Sequence, residues 1–212
     1  MLQTRLRESI AQVGQALREP EEFALRWHRG EVHYAWWVWL ALFLTAGIGT
    51  TTYGMTMGIL GGLPQMLWCG FSHSMAALIA WTIPLPALYI LNSLSGSRLR
   101  ASTTLLAALV TISWGGLAMI ASIPINGFFT VSIPEVVAST AWVRDLVRFV
   151  NFAVFTGVGV AMIDVFGRVM QAVEPSRGRT PTWWLAVVGT IGAELFYAFG
   201  LFDFVIRYRG AA

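Results

Sequence analysis

Residues 81–96 read WTIPLPALYILNSLSG, a stretch apolar enough to lie in lipid, interrupted by Pro84 and Pro86 and closed by Asn92, Ser93, Ser95 and Gly96. Each proline removes a backbone donor and disrupts bonding to carbonyls about four residues earlier, near Ala80 and Thr82. In water such a break reads as a loop. In hydrocarbon the freed carbonyls must find partners on neighbouring helices, hydroxyl side chains or water, so the break is expected to face protein. The solvent around this stretch therefore decides the fold.

Composition names that solvent. Only 12% of the 212 residues are charged and 56% are hydrophobic, with a mean hydropathy of +0.64. A soluble domain carries about 25% charged residues, so this chain belongs in a bilayer. One cysteine, Cys69, excludes an internal disulfide framework and any multi-cysteine metal site or iron–sulfur cluster. The basic residues are all arginine, the net charge is only +3, and no basic run tracks a phosphate backbone, so nucleic acid is not an expected partner. No glycine-rich phosphate loop and no nucleophile, base and orienter triad is visible, so no enzymatic activity and no cofactor are expected.

A bilayer core about 30 Å thick requires roughly 20 apolar residues per helix. Five stretches qualify, over 36–60, 66–94, 102–132, 143–170 and 182–206. Their short connections make consecutive helices antiparallel neighbours. The expected fold is all-α, a polytopic bundle of five transmembrane helices over 36–206, preceded by a cytoplasmic segment, 1–35, and followed by a short tail, 207–212. Within the first segment, MLQTRLRESIAQVGQALREPEEF has its charges too dispersed for a signal peptide. It reads as an amphipathic helix, with Leu2, Leu6, Val13 and Leu17 near one face.

Arginines orient the bundle, because cytoplasmic flanks collect positive charge. With the N-terminus inside, Arg5, Arg7, Arg18, Arg26, Arg29, Arg98, Arg100, Arg168, Arg177 and Arg179 lie on the cytoplasmic side. Only Arg144, Arg148, Arg207 and Arg209 lie on the other. This predicts a multi-pass protein of a bacterial inner membrane, N-terminus cytoplasmic and C-terminus on the opposite side. Small residues four apart let helix backbones approach in lipid. Gly54 and Gly58 have that spacing in the first span, Ser72, Ala76 and Ala80 in the second, and Ala153, Gly157 and Ala161 in the fourth.

Ionisable groups within a span cost roughly 2.5–3.5 kcal/mol at a helix centre on the insertion scale, which makes them candidates for function. His73 falls in the outer third of the second span, Asp164 in the inner part of the fourth, Glu194 near the middle of the fifth and Asp203 closer to its outer end. Asn92 adds a polar group after the proline break. If the second and fifth helices touch, His73 and Glu194 could pair; the plainer alternative is a protonated Glu194 bonded to a hydroxyl or a freed carbonyl. Asp164 lies one turn before Arg168 and near the depth of Arg98 and Arg100, so a cytoplasmic-side salt bridge is expected to satisfy it. Met66, Cys69 and His73, at i, i+3 and i+7, are possible soft-metal ligands near one face. Such a stripe is ordinarily core packing, and no metal is assigned.

Five spans behind a cytoplasmic N-terminal region, the segment LREPEEF before the first span and the proline-containing LPALYILNSLSGSRLR of the second together resemble bacterial members of the Yip (Ypt-interacting protein) family. The resemblance covers roughly residues 19–203. Eukaryotic members look like adaptors for Rab-type GTPases, so it implies a non-enzymatic membrane adaptor. The expected function is an integral membrane scaffold or accessory subunit, with membrane lipids and a protein partner or a second copy as its contacts. The alternative is a small transporter or channel component with a polar path along the broken second span.

Overall fold

The computed structural model describes residues 2–94, 96–132, 141–177 and 182–199. Among these the chain is helical, without strands: α1 (Leu2–Arg18), α2 (Pro20–His28), α3 (Trp36–Met57), α4 (Gly62–Thr82), α5 (Pro84–Leu94), α6 (Ala101–Val131), α7 (Ala141–Val173) and α8 (Thr182–Ala198). Four stretches are long and apolar enough to cross a membrane: Trp36–Met57, Gly62–Ala87, Ala101–Phe129 and Phe149–Val173. The expected fifth span is represented by α8, whose 17 residues fall below the roughly 20 that a crossing takes. The remainder of 182–206, Asp203 and the 207–212 tail lie outside the described residues.

Large apolar side chains cover the outside of these helices. On α3, Phe43, Leu44 and Ile48 are exposed, as are Leu67, Trp68 and Phe71 on α4 and Phe149, Phe152 and Val160 on α7. Water would not tolerate so continuous an apolar surface on a monomer. These are the helices of a multi-pass membrane protein.

Local chemistry sets the helix ends. α2 opens with Pro20 in its first turn, followed by Glu21 and Glu22, and closes on Arg26 and His28. The proline costs no hydrogen bond there, and both charge groups favour the helix dipole. α3 stops at Gly58, and a single 3₁₀ turn leads to Gly62 at φ 77°, where the missing Cβ allows the sharp start of α4. The break at the prolines is real: the Ile83 amide still donates to the Ile79 carbonyl at 3.0 Å, and α5 begins at Pro84. Thr82 donates its hydroxyl to the Leu78 carbonyl at 2.8 Å. Pro84 is buried against the bundle, whereas Thr82, Ile83 and Pro86 are exposed. Only half of the break faces protein, because residues two apart on a helix point in different directions.

α3 and α6 form the centre. They share the most extensive helix contact, α4 packing also on α3, α7 on α6, and α8 on α4. At the crossing of α3 and α6 a Cβ on Gly49 would come within 2.2 Å of the Gly116 carbonyl oxygen. Gly54 and Gly58 meet α4, where an added Cβ would lie 2.7 Å from the His73 Cβ and 2.6 Å from the Gln65 carbonyl oxygen respectively. Ser72, Ala76 and Ala80 are buried, Ala76 against Leu195 and Phe199. The ladder of the fourth span is placed differently. Ala153 and Gly157 are exposed, Ala161 is half-buried, and a Cβ on Gly157 meets nothing within 4 Å. A four-residue spacing permits close approach but does not say which way the helix turns.

Candidate functional sites: a helical cap and an interior cavity

α1 and α2 close one end of the bundle. The chain enters α3 through an extended segment that places Tyr34 over Phe23, rings stacked 4.0 Å apart, with the Tyr34 hydroxyl donating to the Phe23 carbonyl at 3.1 Å. Trp27 stacks on the same tyrosine and meets Trp39 edge to face. Burial pushes the Tyr34 phenol up from its ordinary range, the nearby Arg26 opposing this and Glu22 adding to it. Val13 and Ala16 of α1 bury into a cluster with Val38 and Leu42 of α3 and Leu106 and Val110 of α6. Leu17 is half-buried, Ile10 is exposed, and the side chains of Leu2 and Leu6 lie outside the described ones.

Ion pairs join the cap to α7. The Arg168 guanidinium pairs with Asp164 one turn earlier, 3.0 Å away, and with Glu21 of α2. The expected partner of Asp164 is therefore present, and the bridge extends to a second helix. Glu174, just past α7, accepts from the Ser97 hydroxyl at 2.7 Å and the Arg98 amide at 3.3 Å, fixing the turn that follows α5. The outward surface of α1 and α2 stays charged, with Arg7, Glu8, Arg18, Glu19 and Glu22 exposed.

Inside the bundle, polar side chains are tied helix to helix. Tyr53 donates its hydroxyl to the Asn151 Oδ1 at 3.1 Å, joining α3 to α7. Asn126 donates through Nδ2 to the Thr56 hydroxyl at 2.8 Å, and Ser113 donates to the Leu42 carbonyl at 2.7 Å, both joining α6 to α3. The hydroxyls of Thr50 and Ser74 lie 3.3 Å apart across α3 and α4. Asn126 and Asn151 did not stand out in the sequence reading, although they and Asn92 are the chain's three asparagines and a buried amide in lipid requires an internal mate.

His73 is fully buried on α4, between the rings of Tyr53 and Phe155 with centroids at 5.5 and 6.1 Å. Glu194 stands exposed on α8. The possible pairing of these two is not what the structure displays, because the turn of α8 that meets α4 presents Gly192 and Leu195 instead. Asn92 lies in the last turns of α5, its side chain outside the described ones. Cys69 is buried and accepts a weak bond from the Gln65 amide at 3.4 Å. Among the described residues no three His, Cys, Asp or Glu side chains gather as metal ligands.

Beside His73 lies a cavity of about 130 Å³ whose wall includes residues of α3, α4, α6, α7 and α8. Apart from His73 and Thr50 that wall is apolar, and glycines supply much of it: Gly115 and Gly116 of α6, Gly159 of α7, and Gly189 and Gly192 of α8. Comparison of the chain with protein-family models, with curated proteins and with solved structures finds no match.

Proposed function

We propose that the protein is an integral membrane scaffold of the Yip type, in which the bundle anchors a rigid helical cap that docks a protein partner at the cytoplasmic face of a bacterial inner membrane. In this reading α8 continues beyond Ala198 to form a fifth span, α1 serves as an amphipathic helix laid against the bundle, and the C-terminus lies on the opposite side. The activity is recruitment, without catalysis.

One observation carries the proposal: the cap is fixed from beneath by the Phe23 and Tyr34 stack, the Val13 and Ala16 contacts and the Arg168 bridge, while its outer surface displays charges of both signs. A rigid charged surface steers and selects a partner more than it stabilises its own fold. The transporter alternative draws less support, because Glu194 stands outside the interior that holds His73.

Charge reversal tests the reading without disturbing the cap's packing. The triple variant Glu8→Arg, Arg18→Glu, Glu22→Arg alters only exposed side chains. It should remain folded in detergent, its melt lowered by no more than about 2 kcal/mol through the reversed charges at two helix ends, yet lose the proteins that co-purify with the parent, while Glu194→Gln should keep them. Unchanged co-purification in the triple variant, or a proteoliposome flux abolished by Glu194→Gln, contradicts the scaffold.

A further inference from the structure

Two glycines in the wall of the interior cavity have no neighbour beside them. Gly159 and Gly189 both line it, and a Cβ built on either meets nothing within 4 Å. Glycine inside a helix costs about 1 kcal/mol relative to alanine. At Gly49 or Gly116 that cost is offset by backbone contact between helices, since an added Cβ would collide. At Gly159, half-buried, and Gly189, exposed, no such contact exists, and a side chain has room beside the cavity at both.

A second space lies against the first. A groove of about 560 Å³ runs between α3 and α4 on the outer surface of the bundle, flanked by the exposed rings of Phe43 and Phe71 and by Leu67. Thr50, Ala77 and Ile112 line both spaces, so the groove and the cavity are separated by little more than these side chains. The Thr50 hydroxyl is already committed to the Ala46 carbonyl at 2.9 Å and lies against Ser74. It therefore offers little to a polar ligand. Apolar cavities of about 150 Å³ stay dry and take up apolar molecules of benzene size.

We propose that the groove and the cavity together form a lateral binding site for one hydrocarbon chain of a bilayer lipid, the chain lying between α3 and α4 and its distal end passing Ala77 into the space beside His73. The occupant is a lipid chain because the groove opens on the side walls of two helices long and apolar enough to cross a membrane, where acyl chains are the solvent. The inner space holds only the end of such a chain, and the larger groove holds the rest. This assignment is independent of the cap and its partner.

The test uses full-length protein in phosphatidylcholine vesicles carrying one of two photoreactive lipids. One has a diazirine at the acyl terminus and the other has it beside the glycerol; adducts are mapped by mass spectrometry. The terminal probe should label Met119 and Met162 of the cavity wall as well as Met75 of the groove, and the glycerol-proximal probe should leave Met119 and Met162 unlabelled. Gly159→Leu and Gly189→Leu, each adding side chain where a Cβ has room, should reduce the Met119 and Met162 adducts to background while Met75 is still labelled. Labelling confined to the groove, equal labelling of the cavity wall by both probes, or cavity adducts unchanged in both leucine variants overturns the proposal. So does cross-linking that shows the groove covered by a second copy or another protein.

Discussion

Gly49 and Gly157 are both glycines of a membrane-crossing helix, yet their environments are opposite. A Cβ on Gly49 would press into the Gly116 backbone, which belongs to the central helix pair and has no flexible end to yield. Gly49→Ala is expected to cost about 1–3 kcal/mol, the usual range for overpacking, read as a lowered melting temperature in detergent. Gly157→Ala, with open space around it, should instead raise stability by up to about 1 kcal/mol, the cost of a glycine inside a helix relative to alanine. Tyr53 offers a second test at this scale. Its hydroxyl spans α3 to α7 at a fully buried position, and cross-helix bonds in membranes are worth about 0.6 kcal/mol on average and up to about 1.7. Tyr53→Phe should lower stability within that range, and a double-mutant cycle with Asn151→Leu should assign the loss to the pair.

Between elements, the cap on the bundle is held chiefly by packing. Phe23 is fully buried beneath Tyr34, and truncating it to alanine should cost about 3–5 kcal/mol and speed amide exchange through α2. Arg168 is half-exposed even though it bridges Asp164 and Glu21, and exposed pairs are worth about 0–1 kcal/mol. Arg168→Ala should therefore leave the melt nearly unchanged; a large loss in that variant and a small one in Phe23→Ala would reverse this ranking. The limits of the sequence are plain at the same scale. The apolar runs that become α3, α4, α6 and α7 and the break before Pro84 depend on local composition and a missing amide, so they could be read directly. Which way each helix turns depends on its neighbours. Gly54 and Gly157 both sit in four-residue ladders, yet only Gly54 meets another helix, and Gly49, where the central helices cross, belongs to no spacing that drew attention. The same limit explains the candidate site. Asp164 and Arg168 could be paired from their spacing along one helix, whereas the joining of Tyr53 to Asn151 across 98 positions and the placing of Glu194 away from His73 are products of tertiary packing.

The whole molecule stands on one premise, that lipid surrounds the helices and that the chain crosses it between the cap and the turn before α4. The exposed rings of α3, α4 and α7, the buried asparagines with their cross-helix partners and the concentration of arginine near the cap all follow from it. The most direct test replaces Cys69, the native thiol, with alanine and then introduces single cysteines by Glu31→Cys, Leu63→Cys, Arg98→Cys and Ser176→Cys, all at exposed positions. A membrane-impermeant maleimide is then applied to sealed vesicles of one orientation. The account predicts that positions 31, 98 and 176 react together from one side and position 63 only from the other. Reaction of positions 63 and 98 from the same side would contradict it.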